Sequence, residues 1–219
     1  MPIRSSYAAH GDACAAAHGF EVLGEIWTYP ILREMFLGPK RFSELLDLVR
    51  GITPAVLTTR LRELTARGLV HGVTLPPPAR GRAYELTDWG HALEPVIEEV
   101  ARWAHGSPTW RTDGGLTPDG VVLAMKTMAL AEVTDPIAMQ LELTDARLAR
   151  PQTYVYRLDW DADGLRAARG PHERPAAIIR SDSTTWARTC FFETPLEAAS
   201  VIGGDPDEAQ RLVDQFRTR

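Results

Sequence analysis

Along roughly the first hundred residues apolar positions recur at helical spacing; beyond them they fall into shorter alternating runs. Ala13 to Leu23 predicts a helix, and Tyr29 to Leu37 a second one that Gly38-Pro39 ends. Phe42 to Val49 sets Phe42, Leu45, Leu46 and Val49 on one face, and Gly51 stops it. Thr53 stands before Pro54, a capping hydroxyl followed by proline at the first helical position. The helix it starts runs to Arg67, with Gly68 as its stop. Leu69 to Leu75 and Arg82 to Leu86 read as the strands of a hairpin joined through Pro76-Pro77-Pro78-Ala79-Arg80-Gly81. Thr87 then caps a helix predicted to reach Ala104. Helices, a recognition-type helix, a two-stranded wing and a closing helix are the order of a winged helix-turn-helix domain, expected over residues 1–105.

The stretch from His105-Gly106-Ser107-Pro108 to Asp113-Gly114-Gly115 reads as a linker, residues 106–115. Thr117-Pro118 opens a helix carrying Val121, Val122, Met125, Met128 and Ala129. Strands are expected at Ile137 to Leu143, Thr153 to Trp160, Leu165 to Ala168 and Ala176 to Arg180. Helices are expected at Thr184 to Phe192, Pro195 to Ala199 and Pro206 to Phe216. Residues 116–219 therefore predict a second domain, α+β with a mostly antiparallel sheet, and the whole chain is α+β.

The chain carries a net charge of −5, but its distribution matters more than the sum. From Arg33 to Arg82 stand nine basic residues (Arg33, Lys40, Arg41, Arg50, Arg60, Arg62, Arg67, Arg80 and Arg82) against four acids (Glu34, Glu44, Asp47 and Glu63), a local balance of +5. Wound at ~100° per residue, the helix after Pro54 turns Leu57, Leu61 and Leu64 inward and Ala55, Thr59, Arg62 and Ala66 outward. Small residues with a hydroxyl and an arginine suit close approach to double-stranded DNA in its major groove. Thr53, Ala55, Thr59 and Arg62 are the candidate contacts, with Arg60 at the flank as a structural ion-pair partner. Arg80 and Arg82 flank Gly81 in the hairpin, where they can reach a minor groove or phosphates. Arg41 and Ser43 open the preceding helix, where a cation and free N–H groups suit a phosphate; for Lys40-Arg41 a solvated charge pair is the competing reading. An amphipathic surface helix with no ligand is the competing reading for the whole face.

Several runs carry a resemblance. Gly24-Glu25-Ile26-Trp27-Thr28, Ile31-Leu32-Arg33-Glu34 and Gly38-Pro39-Lys40-Arg41-Phe42-Ser43-Glu44-Leu45 resemble the HxlR family of winged-helix regulators. So do Gly51-Ile52-Thr53, Leu57 to Leu64, Gly68-Leu69-Val70 and Tyr84-Glu85-Leu86-Thr87-Asp88-Trp89-Gly90. The resemblance spans about residues 13 to 104 and implies dimeric DNA binding in a bacterial transcription regulator, with terminal helices at the dimer interface. It also implies a redox role for Cys14, since some members sense electrophiles through a cysteine near this place. Here Ala15-Ala16 follow it, and no Lys or Arg lies within the adjacent turns to activate the thiol. A small buried hydrophobe is the competing reading. Leu93, Val96, Ile97, Val100, Trp103 and Ala104 form a wide apolar stripe on the closing helix, for which a partner helix in a homodimer is expected.

In the tail, Ile178-Ile179-Arg180-Ser181-Asp182, Thr185-Trp186, Thr194 to Ala199 and Gly204-Asp205-Pro206 resemble the sterol carrier protein type two fold. That resemblance implies an apolar tunnel for a small apolar or aromatic effector, with Val121, Met125, Met128, Leu141, Tyr154, Tyr156, Trp186, Phe191 and Phe192 as candidate lining. Ordinary core packing is the competing reading for each. Cys14 and Cys190 form no disulfide framework, and the six histidines show no ligand spacing, so no metal and no cofactor are expected. His172 lies in a loop without a nucleophile nearby in sequence, so no enzyme is expected. No apolar run spans a membrane and no signal peptide is read, so a cytoplasmic protein is the default. Only Lys40 and Lys126 among 24 basic residues are lysine, a bias of GC-rich bacterial genomes. The expected function is a DNA-binding, ligand-responsive dimeric repressor. The alternative is a winged-helix scaffold turned to small-molecule binding or enzymatic work.

Overall fold

The computed structural model describes residues 7–77, 79–111, 113–129, 133–197 and 200–217. The chain divides into two compact units, Met1–His91 and Ala92–Arg219.

The first unit holds α1 (Ala15–Leu23), α2 (Thr28–Arg33), α3 (Phe42–Leu48), α4 (Pro54–Ala66), the antiparallel hairpin β1 (Val70–Leu75) and β2 (Gly81–Leu86), and the short α5 (Asp88–His91). Its core is Ile31, Leu32, Met35, Leu45, Leu48, Leu57, Leu61, Leu64 and Leu69, each almost wholly buried. α4 begins and ends by local chemistry. The Thr53 hydroxyl accepts from the Val56 N–H at 3.3 Å, and Pro54 follows where no helical donor is needed. At the other end Gly68 takes φ +77°, its N–H reaches the Thr65 carbonyl (3.0 Å), and the Leu69 N–H reaches Leu64 (3.0 Å). This doubly bonded stop tucks Leu69 against Leu64 in the core. Thr87 then ties the hairpin back: its hydroxyl donates to Gly68 O at 2.6 Å and accepts from Gly90 N–H at 3.0 Å. Gly90 has no room for a side chain, since a Cβ would stand 2.3 Å from Leu69 O.

α2 is shorter than the helix expected from Tyr29 to Leu37. Beyond Arg33 the turns tighten, with Met35 N–H bonded to Leu32 O and Gly38 N–H to Met35 O. The helix expected to run unbroken to Ala104 is two: α5 and α6 (Glu94–His105), with turns at 92–93 between them. Pro95 is the cause, for its ring clashes with a helical His91 carbonyl and it has no N–H to give it. α6 groups with the second unit, where Lys126 pairs with Glu94 and Arg102 Nε donates to Thr127 O at 3.3 Å. The linker expected at 106–115 therefore lies inside that unit.

The rest of the second unit is α7 (Pro118–Met128), β3 (Ile137–Thr144), β4 (Tyr154–Asp161), β5 (Gly164–Arg169), β6 (Ala177–Asp182), α8 (Ser183–Phe191), β7 (Val201–Gly204) and α9 (Pro206–Arg217). The strands form one sheet in the order β5-β4-β3-β6-β7. All neighbours are antiparallel except β3 and β6, which run parallel, so the α+β class holds with one parallel pair. Alternate residues Ile137, Met139, Leu141 and Leu143 on β3 are buried, as are Tyr154, Tyr156, Leu158 and Trp160 on β4. Residues 195–197 are not helical, and the last two residues of the helix expected there, 198–199, lie outside the described residues. β7 has no counterpart in the expectations: Gly203-Gly204 obscure its strand pattern.

Candidate nucleic-acid interface

α4 presents the face expected of it. Ala55 and Arg62 are exposed, and Thr59 is half-buried with its hydroxyl donating to Ala55 O at 3.0 Å. With its hydrogen given to Ala55, the Thr59 hydroxyl is left as an acceptor. Thr53 is exposed but committed to its cap. Arg60 is turned aside, with its guanidinium 2.6 Å from Glu63 and 3.4 Å from Glu25, an internal tie beyond the end of α1.

The basic run is smaller at the surface than in sequence. Lys40 is only 3% exposed, and its Nζ donates to Glu34 O at 2.6 Å. It is neither a solvated charge nor a DNA contact. Arg33 grips the fully buried Glu34 carboxylate at 2.7 Å. Arg41 donates from one guanidinium nitrogen to the carbonyls of Ala79 and Arg80, the latter at 3.1 Å. With Arg33, Lys40, Arg41 and Arg60 held internally, nine basic residues leave five: Arg50, Arg62, Arg67, Arg80 and Arg82, all exposed. Among the described residues, the Arg62, Arg80 and Arg82 side chains take no ion pair. Ser43 is exposed in the first turn of α3, but the Arg41 N–H there is given to the Glu44 carboxylate at 2.9 Å. The position expected to meet a phosphate thus already holds an anion.

In the second unit Val121, Met125, Leu141, Tyr154, Tyr156 and Trp186 are buried, while Met128 and Phe191 are half-buried. Phe192 is 45% exposed and cannot line an interior; its ring neighbours Trp110 at 6.4 Å. The Trp186 indole N–H reaches Met125 Sδ at 3.3 Å, tying α8 to α7. Two polar residues unmarked by the sequence reading join the tyrosines. Tyr156 donates to Asp119 at 2.6 Å, Arg169 bonds the same carboxylate at 2.7 Å, and the Arg169 guanidinium lies 4.3 Å from the Tyr154 ring centre. Burial works against the Arg169 charge, but Asp119 and the two phenols more than offset it and hold its pKa above the ordinary value. No local pattern marks the pair, because Arg169 stands 50 residues from Asp119.

Cys14 is exposed at the N-cap of α1, with its N–H donating to Asp12 at 2.8 Å. Cys190 is buried, and desolvation pushes its thiol well above the usual range. Among the described residues no three His, Cys, Asp or Glu side chains gather as metal ligands, and no helix is long and apolar enough to cross a membrane.

Residues 22–109 match the family described as HxlR-like helix-turn-helix. The chain is 32% identical over 99 residues to the HTH-type transcriptional regulator YybR of Bacillus subtilis, covering 44% of this chain and 77% of that protein. It is 35% identical over 85 residues to YodB of the same organism, an HTH-type transcriptional regulator, covering 39% and 76%. Against the solved structure of the reduced form of YodB the identity is 31%, over 45% of this chain and 97% of that one, with a TM-score of 0.41.

Proposed function

Because the chain belongs to the HxlR-like helix-turn-helix family, and so is a DNA-binding transcriptional regulator, we propose a specific division of labour within it. α4 enters the major groove with Thr53, Ala55, Thr59 and Arg62, while Ser43 and the wing residues Arg80 and Arg82 meet the backbone or the minor groove. The observation that carries this reading is the outward α4 face: small residues beside Arg62, an exposed guanidinium with no internal partner among the described residues. The test is selection of bound duplexes from random-sequence DNA by the purified protein. Recovery of no preferred sequence at moderate salt would favour the alternative of a scaffold turned to another task.

The regulator works as a homodimer in the cytoplasm and represses by occupying its operator. α6 supports the dimer reading: Val96, Val100 and Trp103 lie along one side of it at 47%, 46% and 81% exposure, a stripe that a second copy would cover. Residues 116–219 bind a small apolar or aromatic effector, in keeping with their sequence resemblance to the sterol carrier protein type two fold. The aromatic interior around Tyr156, Trp186 and Trp160 supports this, with Asp119 and Arg169 as the polar groups that would orient a ligand. An effector must raise the melting temperature and also change operator affinity; one that does only the first is a binder without a regulatory role.

A further inference from the structure

The tip of the wing is poor in hydrogen-bond donors of its own. Pro76, Pro77 and Pro78 carry no N–H, so three successive loop positions have no donor with which to close the hairpin. The β1–β2 register ends at Leu75 opposite Gly81, so the Ala79 and Arg80 carbonyls lie outside the ladder. Arg41 meets that need from outside. Its guanidinium bridges the successive carbonyls of Ala79 and Arg80. Gly81 takes φ +123° directly above it, and a Cβ at Gly81 would stand 3.8 Å from Arg41 Nε. Arg41 is itself fixed on both sides. Its neighbour Lys40 is paired with Tyr84 of β2 through both backbone bonds, at 2.9 and 2.8 Å, and its own N–H is held by Glu44. The clamp thus runs from the start of α3 to two successive residues of the wing loop, just before β2.

We propose that Arg41 is a positioning residue that acts on DNA through Arg80, by setting the pose of the wing tip, and is not itself a phosphate contact. The proposal rests on the reading that the wing binds DNA. One guanidinium nitrogen bonded to two successive carbonyls fixes both the height and the tilt of the loop, at a reach that the shorter lysine side chain does not have. Arg80, whose own carbonyl is one of the two clamped groups, has its Cα held while its side chain stays exposed.

A double-mutant cycle tests this, using the full chain and a duplex selected by the wild-type protein. Arg80→Ala alone should weaken binding about tenfold. Arg41→Ala alone should weaken it about fivefold, and in the Arg80→Ala background should add less than about twofold. The salt dependence should agree: Arg41→Ala should leave the slope unchanged in that background, whereas a lost phosphate contact lowers it by about 0.9. Arg41→Lys keeps the charge without the bridge and should behave as Arg41→Ala, with both variants keeping the wild-type circular dichroism. Additive losses, or full affinity in Arg41→Lys, would overturn the positioning role while leaving the wing reading intact. An Arg80→Ala protein with wild-type affinity would overturn the wing reading and the positioning role with it.

Discussion

Tyr156 gives its phenolic hydrogen to Asp119 across 2.6 Å, in the interior of the second unit where the Asp119 side chain has no solvent exposure. The same carboxylate holds Arg169, so a single acid satisfies two donors on two different strands. Removing it leaves a mostly buried guanidinium without its counter-charge. Asp119→Ala should destabilise the second unit by about 2–4 kcal/mol, at or below the usual cost of breaking a buried pair because Arg169 keeps some solvent. Tyr156→Phe leaves the ion pair standing and should cost only about 1 kcal/mol. Urea titrations followed by tryptophan fluorescence would compare the two, and equal losses would show that the ion pair adds nothing.

Arg62→Ala should reduce specific DNA affinity by ~1–3 kcal/mol with the melting temperature unchanged, since the side chain is exposed and takes no internal partner among the described residues. Arg60→Ala should show the opposite pattern, a loss of stability with its ties to Glu63 and Glu25 gone. Mobility shifts at fixed salt beside thermal melts separate the two arginines. A fall in melting temperature for Arg62→Ala would place that side chain in the structure instead of the interface.

If Val96 and Val100 face a second copy, replacing both with Glu places like charges in the contact and should yield monomers. The two valines are nearly half exposed in the single chain, so folding should survive the change. Sedimentation velocity reads the outcome. A double variant that remains a dimer would move the interface to another surface.

The two thiols should part on alkylation. Cys190 is buried and its thiol is pushed up by desolvation, so the native protein at pH 8 should take one equivalent of iodoacetamide, at Cys14. The second equivalent should need denaturant. Mass spectrometry of tryptic peptides would show it, and modification of Cys190 under native conditions would contradict the burial.

What the residues disclosed in advance was local. Thr53-Pro54 at one end of α4 and Gly68 at the other carry their chemistry within a turn of the helix they bound, and both ends stand where they were expected. Pro95 is as local a signal, and its clash with the His91 carbonyl makes the break between α5 and α6. The charged residues were harder for a different reason. Arg41 finds its partners 38 and 39 residues away, and Arg169 meets Asp119 across 50. A helical wheel ranks such side chains by position around one helix and has no knowledge of what another segment will bring. The wheel separates the inward leucines of α4 from its outward face, but a charge count along the chain has no means of seeing that the fold encloses Lys40.

Between the last turn of α4 and the first strand of the wing stand only Arg67, Gly68 and Leu69, and each of their backbone N–H groups is bonded to a helix carbonyl. Thr87 fastens Gly68 again from the far side of the hairpin. The reading helix and the wing are thereby set like the jaws of a caliper, with a fixed opening. If α4 and the wing both meet DNA, as proposed, the protein measures the duplex as well as reading its base edges: sites whose grooves already fit that opening bind without deformation, and others must bend or narrow to do so. Preference should therefore extend to base pairs that no side chain reaches. A single residue inserted after Gly68 should reset the preference at those positions, while the bases facing Arg62 stay the same.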